Sequence, residues 1–174
     1  MLNKVGRDIP EEILEMTGKE VFQGNYYKDN TEFQKRGPIT KVVMNHDTSK
    51  MVSSIHEALV KCGAHDGMTL GFHHHFREGD LVVNMVMQEV KNMGIKDVTI
   101  CASSLGKAHD ALVPLIEDGT ITNIQSSGVR GKIGEAISTG KLKGLATMRS
   151  HGGRVRAIQT GETTIDISFI GAPT

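Results

Sequence analysis

The chain has 174 residues, the size of one domain, and its 38% hydrophobic content is ordinary for a soluble globular fold. Glycine, at 20 of 174, exceeds the usual ~7% and points to many tight turns or close backbone approaches to a ligand. Twenty basic residues balance 20 acidic ones, and aromatics are 4% with no tryptophan, which argues against nucleic acid or an anionic membrane as partner.

In chain order, Met1–Met16 carries Lys4, Arg7, Asp8, Glu11, Glu12 and Glu15, so it has no apolar core of a secretion signal. Residues 1–47 are polar, include Gly24, Gly37 and Pro38, and read as an extension with one short helix near Pro10–Thr17. Wrapping of another surface and disorder are both open for it. From residue 48 to 174 the pattern is that of an α/β domain. Thr48 or Ser49 can cap a helix whose Val52, Ile55, Leu59 and Cys62 share a face before Gly63 stops it. Met68–Phe72 reads as a strand, and Asp80 caps a helix with Val83, Val86, Met87 and Val90 inward. The longest apolar runs, such as Leu81–Val83 and Met85–Met87, are far too short to cross a bilayer.

Asp97–Ala102 is the next strand, and Pro114 opens or kinks a short helix ending at Gly119. Strand Thr120–Gln125 precedes a helix with Ile133, Ala136 and Ile137 that runs to Gly140. Leu142–Met148, a helix over Arg154–Thr160 and a final strand Ile165–Ile170 complete the alternation. Cys62 and Cys101 read as buried free thiols of a reduced, cytoplasmic protein. Strands joined by such helices predict an open, mostly parallel sheet flanked by helices, with ligands beyond the carboxyl ends of the strands.

The unusual residues fall in those strand-end loops. His73-His74-His75-Phe76-Arg77-Glu78-Gly79-Asp80 follows the first strand. Adjacent histidines on an extended backbone alternate in direction and cannot all ligate one metal, so no metal site is expected; pocket lining and a plain exposed run are the two other readings. Ser103-Ser104 follows the second strand without a nucleophile elbow, which argues against a serine hydrolase. Such serines either cap a turn or contact substrate. Ser126-Ser127-Gly128-Val129-Arg130-Gly131 and Arg149-Ser150-His151-Gly152-Gly153-Arg154 each combine permissive backbone with a guanidinium. Arg77, Arg130, Arg149 and Arg154 recurring at one edge suggest a small substrate with several carboxylates or phosphates.

The segments Asp66-Gly67-Met68-Thr69, Phe72 through Asp80, Val83-Asn84-Met85-Val86-Met87, Ser126 through Gly131, Ser150 through Arg154 and Ile165 through Pro173 closely resemble the citrate lyase alpha subunit family. The resemblance runs across nearly the whole chain. It implies a CoA-transferase fold, related to ribose-phosphate isomerase and glucosamine-phosphate deaminase. It also implies the reaction acetyl-carrier thioester plus citrate to citryl-carrier thioester plus acetate. CoA, or the CoA-derived arm of the acyl carrier subunit, is then a substrate, with no covalently bound cofactor. The beta and acyl carrier subunits are the implied partners, in an oligomeric cytoplasmic complex. Family chains are longer, with two related halves, so this chain is expected to be the first half and to have little activity alone.

Under that resemblance the expected site comprises His73, His74 and His151 as donors to an oxyanion or carboxylate, with Arg77, Arg130 and Arg154 neutralising citrate. Ser103, Ser104 and Ser127 join them, as do the backbone amides near Gly79, Gly128, Gly152 and Gly153. A sugar-phosphate isomerase or deaminase on the same fold, and a non-catalytic docking domain, are the alternatives.

Overall fold

The computed structural model describes residues 1–21, 50–73 and 81–171. The chain divides into two compact units, Met1–Ser49 and Lys50–Thr174. In the first, helix α1 (Glu11–Thr17) starts directly after Pro10 and ends at Gly18, whose φ of 62° lets its N–H turn back to Leu14 O. The expected helix near Pro10–Thr17 is thus present, and it buries none of its residues.

The second unit is built on five parallel strands, β1 (Thr69–Phe72), β2 (Val98–Ala102), β3 (Ile121–Ser126), β4 (Ala146–Met148) and β5 (Ile167–Phe169), in the order β4-β3-β2-β1-β5. Helices α2 (Ile55–Lys61), α3 (Val82–Asn92), α4 (Val113–Glu117), α5 (Gly131–Ser138) and α6 (His151–Gln159) alternate with them, and a 3₁₀ turn, Lys107–Leu112, leads into α4. This is the open parallel α/β sheet that the alternation predicts.

The first three crossovers step one strand at a time in one direction, and the last returns over three strands to the far side of β1. Right-handed connection therefore puts α3, α4 and α5 on one face and α6 on the other. The faces differ in chemistry because side chains alternate along each strand. Leu70, Ile100 and Ile124 align in register and are each 0% exposed, joined by Ile167 on β5. With Val83, Val86, Met87 and Val90 of α3 and Ile133 of α5 they form the core. Each such side chain contributes roughly 1.5–3 kcal/mol through burial. The opposite row runs Thr147, Gln125, Cys101, Gly71, Ser168 across the same strands.

Several boundaries differ from expectation. Helix α2 starts at Ile55, later than a cap at 48 or 49 would put it, and Thr48 and Ser49 lie outside the described residues. The cap is Ser54, whose Oγ accepts from Glu57 N at 3.1 Å, while Glu57 Oε2 accepts from Ser53 N at 2.8 Å. Such reciprocal bonding satisfies the orphan donors of a first turn. Val52 consequently precedes the helix. Cys62 sits at its C-cap and is exposed, correcting its reading as a buried thiol, whereas Cys101 is buried.

Asp80 lies outside the described residues, and α3 begins at Val82. β4 is only Ala146–Met148 because Gly144 is pressed against Asn123 Oδ1 and lies so close to Thr122 O that a Cβ would stand 2.6 Å from it. β5 is likewise shorter than Ile165–Ile170.

Candidate functional site

Parallel strands bring all five carboxyl ends to one edge, and adjacent ends are laced together by backbone. His73 N donates to Phe169 O at 3.0 Å, tying the ends of β1 and β5. Ser127 N donates to Ser103 O at 3.1 Å, and Leu105 N to Gly128 O at 3.0 Å, tying those of β2 and β3. Arg149 N donates to Ser126 O at 2.9 Å and adds the end of β4.

Strand order reverses direction between β1 and β5, and an open α/β sheet forms its ligand crevice at such a point. A cavity of about 130 Å³ lies there, lined by Gly71, Phe72, His73, Cys101, Arg154, Ile165, Ser168, Phe169 and Ile170. Phe72 and Phe169 stack beside it with ring centroids 5.3 Å apart. A larger groove of about 740 Å³ opens between α2, α3 and the 3₁₀ turn, but its His56–Glu89 pair is already joined at 2.8 Å and no arginine lines it. The smaller cavity fits a polyanion better, because it holds a cation.

That cation is Arg154. Helix α6 begins at His151, three residues earlier than Arg154–Thr160, because Ser150 caps it and accepts from Gly153 N at 3.1 Å. Arg154 therefore stands in the first turns of α6 and reaches across the sheet, where its Nη2 lies 3.6 Å from Cys101 Sγ. Its Nε is buried with no hydrogen-bond partner among the described residues, and no carboxylate there pairs with it. A sheltered, unneutralised guanidinium is costly unless an anion completes it.

Arg149 is the contrasting case. It donates to Gln125 Oε1 at 3.2 Å and to Glu162 Oε1 at 2.6 Å. Its guanidinium in turn holds the Glu162 carboxyl below the usual carboxylate range. Arg149 is thus a structural clamp.

Of the expected site residues, His73 and Arg154 share the cavity. Ser103 (buried), Ser104 and Ser127 lie together at the β2 and β3 ends, and Ser127 Oγ is buried without a hydrogen-bond partner among the described residues. Arg130 is exposed at the N-cap of α5, and His151 is exposed at the start of α6. His74, Arg77 and Gly79 lie outside the described residues.

Two of the amides expected to serve an oxyanion are already committed in this conformation. Gly128 N donates to Ser126 Oγ at 3.2 Å, and Gly153 N serves the α6 cap. The Gly152 amide is not engaged by that cap. Sequence reasoning missed Gly71 and Cys101, both lining the cavity; a glycine inside a strand was the available signal for the first. No group of His, Cys, Asp and Glu among the described residues could hold a metal ion. No helix among them is long and apolar enough to cross a membrane.

Comparison with known proteins decides the family. The family model described as "Citrate lyase, alpha subunit (CitF)" matches residues 48–174. The chain belongs to the citrate lyase alpha subunit family. It is 40% identical over 158 residues to the citrate lyase alpha chain of Haemophilus influenzae, covering 91% of this chain and 32% of that one. It is 47% identical over 124 residues to the Escherichia coli citrate lyase alpha chain, covering 71% and 24%.

A solved Streptococcus mutans protein, described as an alpha subunit of citrate lyase in complex with citrate, superposes with a TM-score of 0.76 at 46% identity. That match covers 98% of this chain and 32% of the other. The chain thus spans about a third or less of the length of these family members.

Proposed function

We propose that this chain supplies one wall of an acyl-transfer site that exchanges acetyl for citryl on a carrier thioester. Acetyl-carrier plus citrate gives citryl-carrier plus acetate. The observation that carries the proposal is Arg154, a sheltered guanidinium without a carboxylate partner among the described residues, at the crevice between β1 and β5 and beside His73. Membership of the citrate lyase alpha subunit family supports it, as does the citrate bound to the Streptococcus mutans relative.

In this scheme a citrate carboxylate is gripped by Arg154, with Arg130 offering a second cation at the same edge. Bringing a tricarboxylate to a thioester concentrates negative charge, and the arginine fork both neutralises and orients it. Attack on the thioester carbonyl creates a tetrahedral oxyanion, for which His73 and the Gly152 amide are the donors from this chain. Loss of one such donor typically costs about 3 kcal/mol in barrier.

CoA, or the CoA-derived arm of an acyl carrier subunit, is the thioester substrate, with no cofactor fixed covalently to this chain. The beta and carrier subunits are the proposed partners in a cytoplasmic oligomer. Residues 48–174 act as the first half of the family's transferase, preceded by the polar extension of residues 1–47.

Calorimetric titration of the chain with citrate tests the proposal. Saturable binding, weakened about tenfold in Arg154→Met as expected for a lost charged hydrogen bond, is the expected result. Uptake of a phosphate ester with no response to citrate would overturn it in favour of sugar-phosphate chemistry. Exchange of acetyl for citryl is then assayed by adding the remaining family length and the carrier subunit.

A further inference from the structure

Two arginines from the β4–α6 segment reach the same face of the sheet at neighbouring positions of one row, Gln125 and Cys101. Their supports differ. Arg149 meets an amide oxygen and a carboxylate. Arg154 meets a sulfur, and among the described residues that is its one side-chain hydrogen bond, Nη2 to Cys101 Sγ at 3.6 Å. A thiol is polarisable and accepts weakly, so it can hold a guanidinium without neutralising it.

Position 101 makes that choice of residue consequential. It is 1% exposed in the middle strand of a parallel sheet, where valine or isoleucine is the usual occupant. A branched hydrocarbon there would leave Nη2 against a group that accepts nothing. A carboxylate would quench the charge. The sulfur does neither.

Gly71, in register beside Cys101, completes the arrangement. A Cβ there would stand 2.8 Å from Ile165 Cγ2 and 3.1 Å from Ser168 Oγ, so position 71 offers no side chain to the cavity. Beside that gap, Cys101 is the strand side chain to which the guanidinium is hydrogen-bonded.

We infer that Cys101 is a positioning residue for Arg154, its sulfur fixing the guanidinium over the β1–β5 crevice while leaving its charge for an incoming carboxylate. The contact stands independently of the proposed function; the purpose of the positioning rests on it.

Alkylation by iodoacetamide, read peptide by peptide with exposed Cys62 as internal standard, tests the contact without any ligand. Arg154→Ala should uncover the sulfur and raise Cys101 labelling relative to Cys62 by about fivefold or more, since access governs thiol reactivity. Citrate titration tests the purpose. Cys101→Ser keeps an acceptor and should bind within about twofold of the parent, whereas Cys101→Val should lose about tenfold, the worth of a hydrogen bond to a charged group.

Thermal stability should run the other way, because valine suits a buried strand and a buried hydroxyl does not. Unchanged Cys101 labelling in Arg154→Ala would overturn the inference. So would affinity that follows stability, with the valine variant binding as well as the parent. If the parent takes up no citrate, the proposed function falls, and the labelling result still decides whether Cys101 supports Arg154.

Discussion

The two faces of the parallel sheet obey opposite rules. One is a row of aliphatic side chains, Leu70, Ile100 and Ile124 with Ile167, sealed by α3, α4 and α5. The other carries Ser168, Gly71, Cys101, Gln125 and Thr147 under α6, and there Gln125 and Cys101 each meet an arginine. The first face supplies stability. The second uses that stability to hold a cation in a place where, alone, it would be unfavourable. A strained or under-satisfied group persists only when the surrounding structure over-determines it.

Substitutions should separate these roles, beginning with the largest effect. Ile100→Ala removes a fully buried side chain at the centre of the sheet and should cost about 2–5 kcal/mol in chemical denaturation. Retention of parental stability would mean that the helix-covered face is not the core. Gly71→Ala acts on the opposite face and forces Ile165 aside, at about 1–3 kcal/mol. It should also shrink the cavity and weaken citrate uptake, so stability loss with intact uptake would detach the cavity from binding.

Arg154→Met against Arg149→Met sharpens the comparison within one face. The first should lose about tenfold in citrate affinity, as for a charged hydrogen bond, at little cost in melting temperature. The second should melt earlier because Glu162 and Gln125 lose their partner, with citrate affected less. Reversal of that order would exchange their assigned roles.

The smallest effect concerns the helical side. Burial pushes the Asp118 carboxyl up, but hydrogen bonds from Thr120 and the ammonium groups of Lys91 and Lys96 outweigh it and bring it down to about 2. A carboxyl lowered in the folded state contributes stability that is complete above its unfolded value of 3.8 and is lost as pH falls toward about 2. Asp118→Asn should therefore flatten the acid limb of unfolding between about pH 4 and 2. An unchanged limb would assign acid sensitivity elsewhere.

Much of the architecture was legible in the residues. The alternation of short strands with 3.6-period helices gave the parallel sheet, and α3 buries Val83, Val86, Met87 and Val90, the face its pattern predicts. Misplaced boundaries came from capping. The Ser54–Glu57 and Ser150–Gly153 bonds decide where α2 and α6 begin, and local hydrogen bonds outweigh an apolar pattern at helix ends. Gly144 shortened β4 through a tertiary contact with Asn123 and Thr122 that adjacent residues do not reveal. The strand-end arginines were visible as a group, but not which of them was spoken for.

Sequence alone determined the strands and helices, the parallel topology, the edge at which the strand-end loops meet and the family, because periodicity and local motifs are properties of contiguous residues. Only the tertiary structure decided that Arg149 is paired with a carboxylate, that Arg154 has none among the described residues, and that Cys101 lies under the latter with Gly71 beside it. Those facts depend on register between strands some thirty residues apart, as Gly71 opposite Cys101 illustrates, and on a helix returning across three strands. Charge becomes function here through neighbours that the chain supplies from a distance.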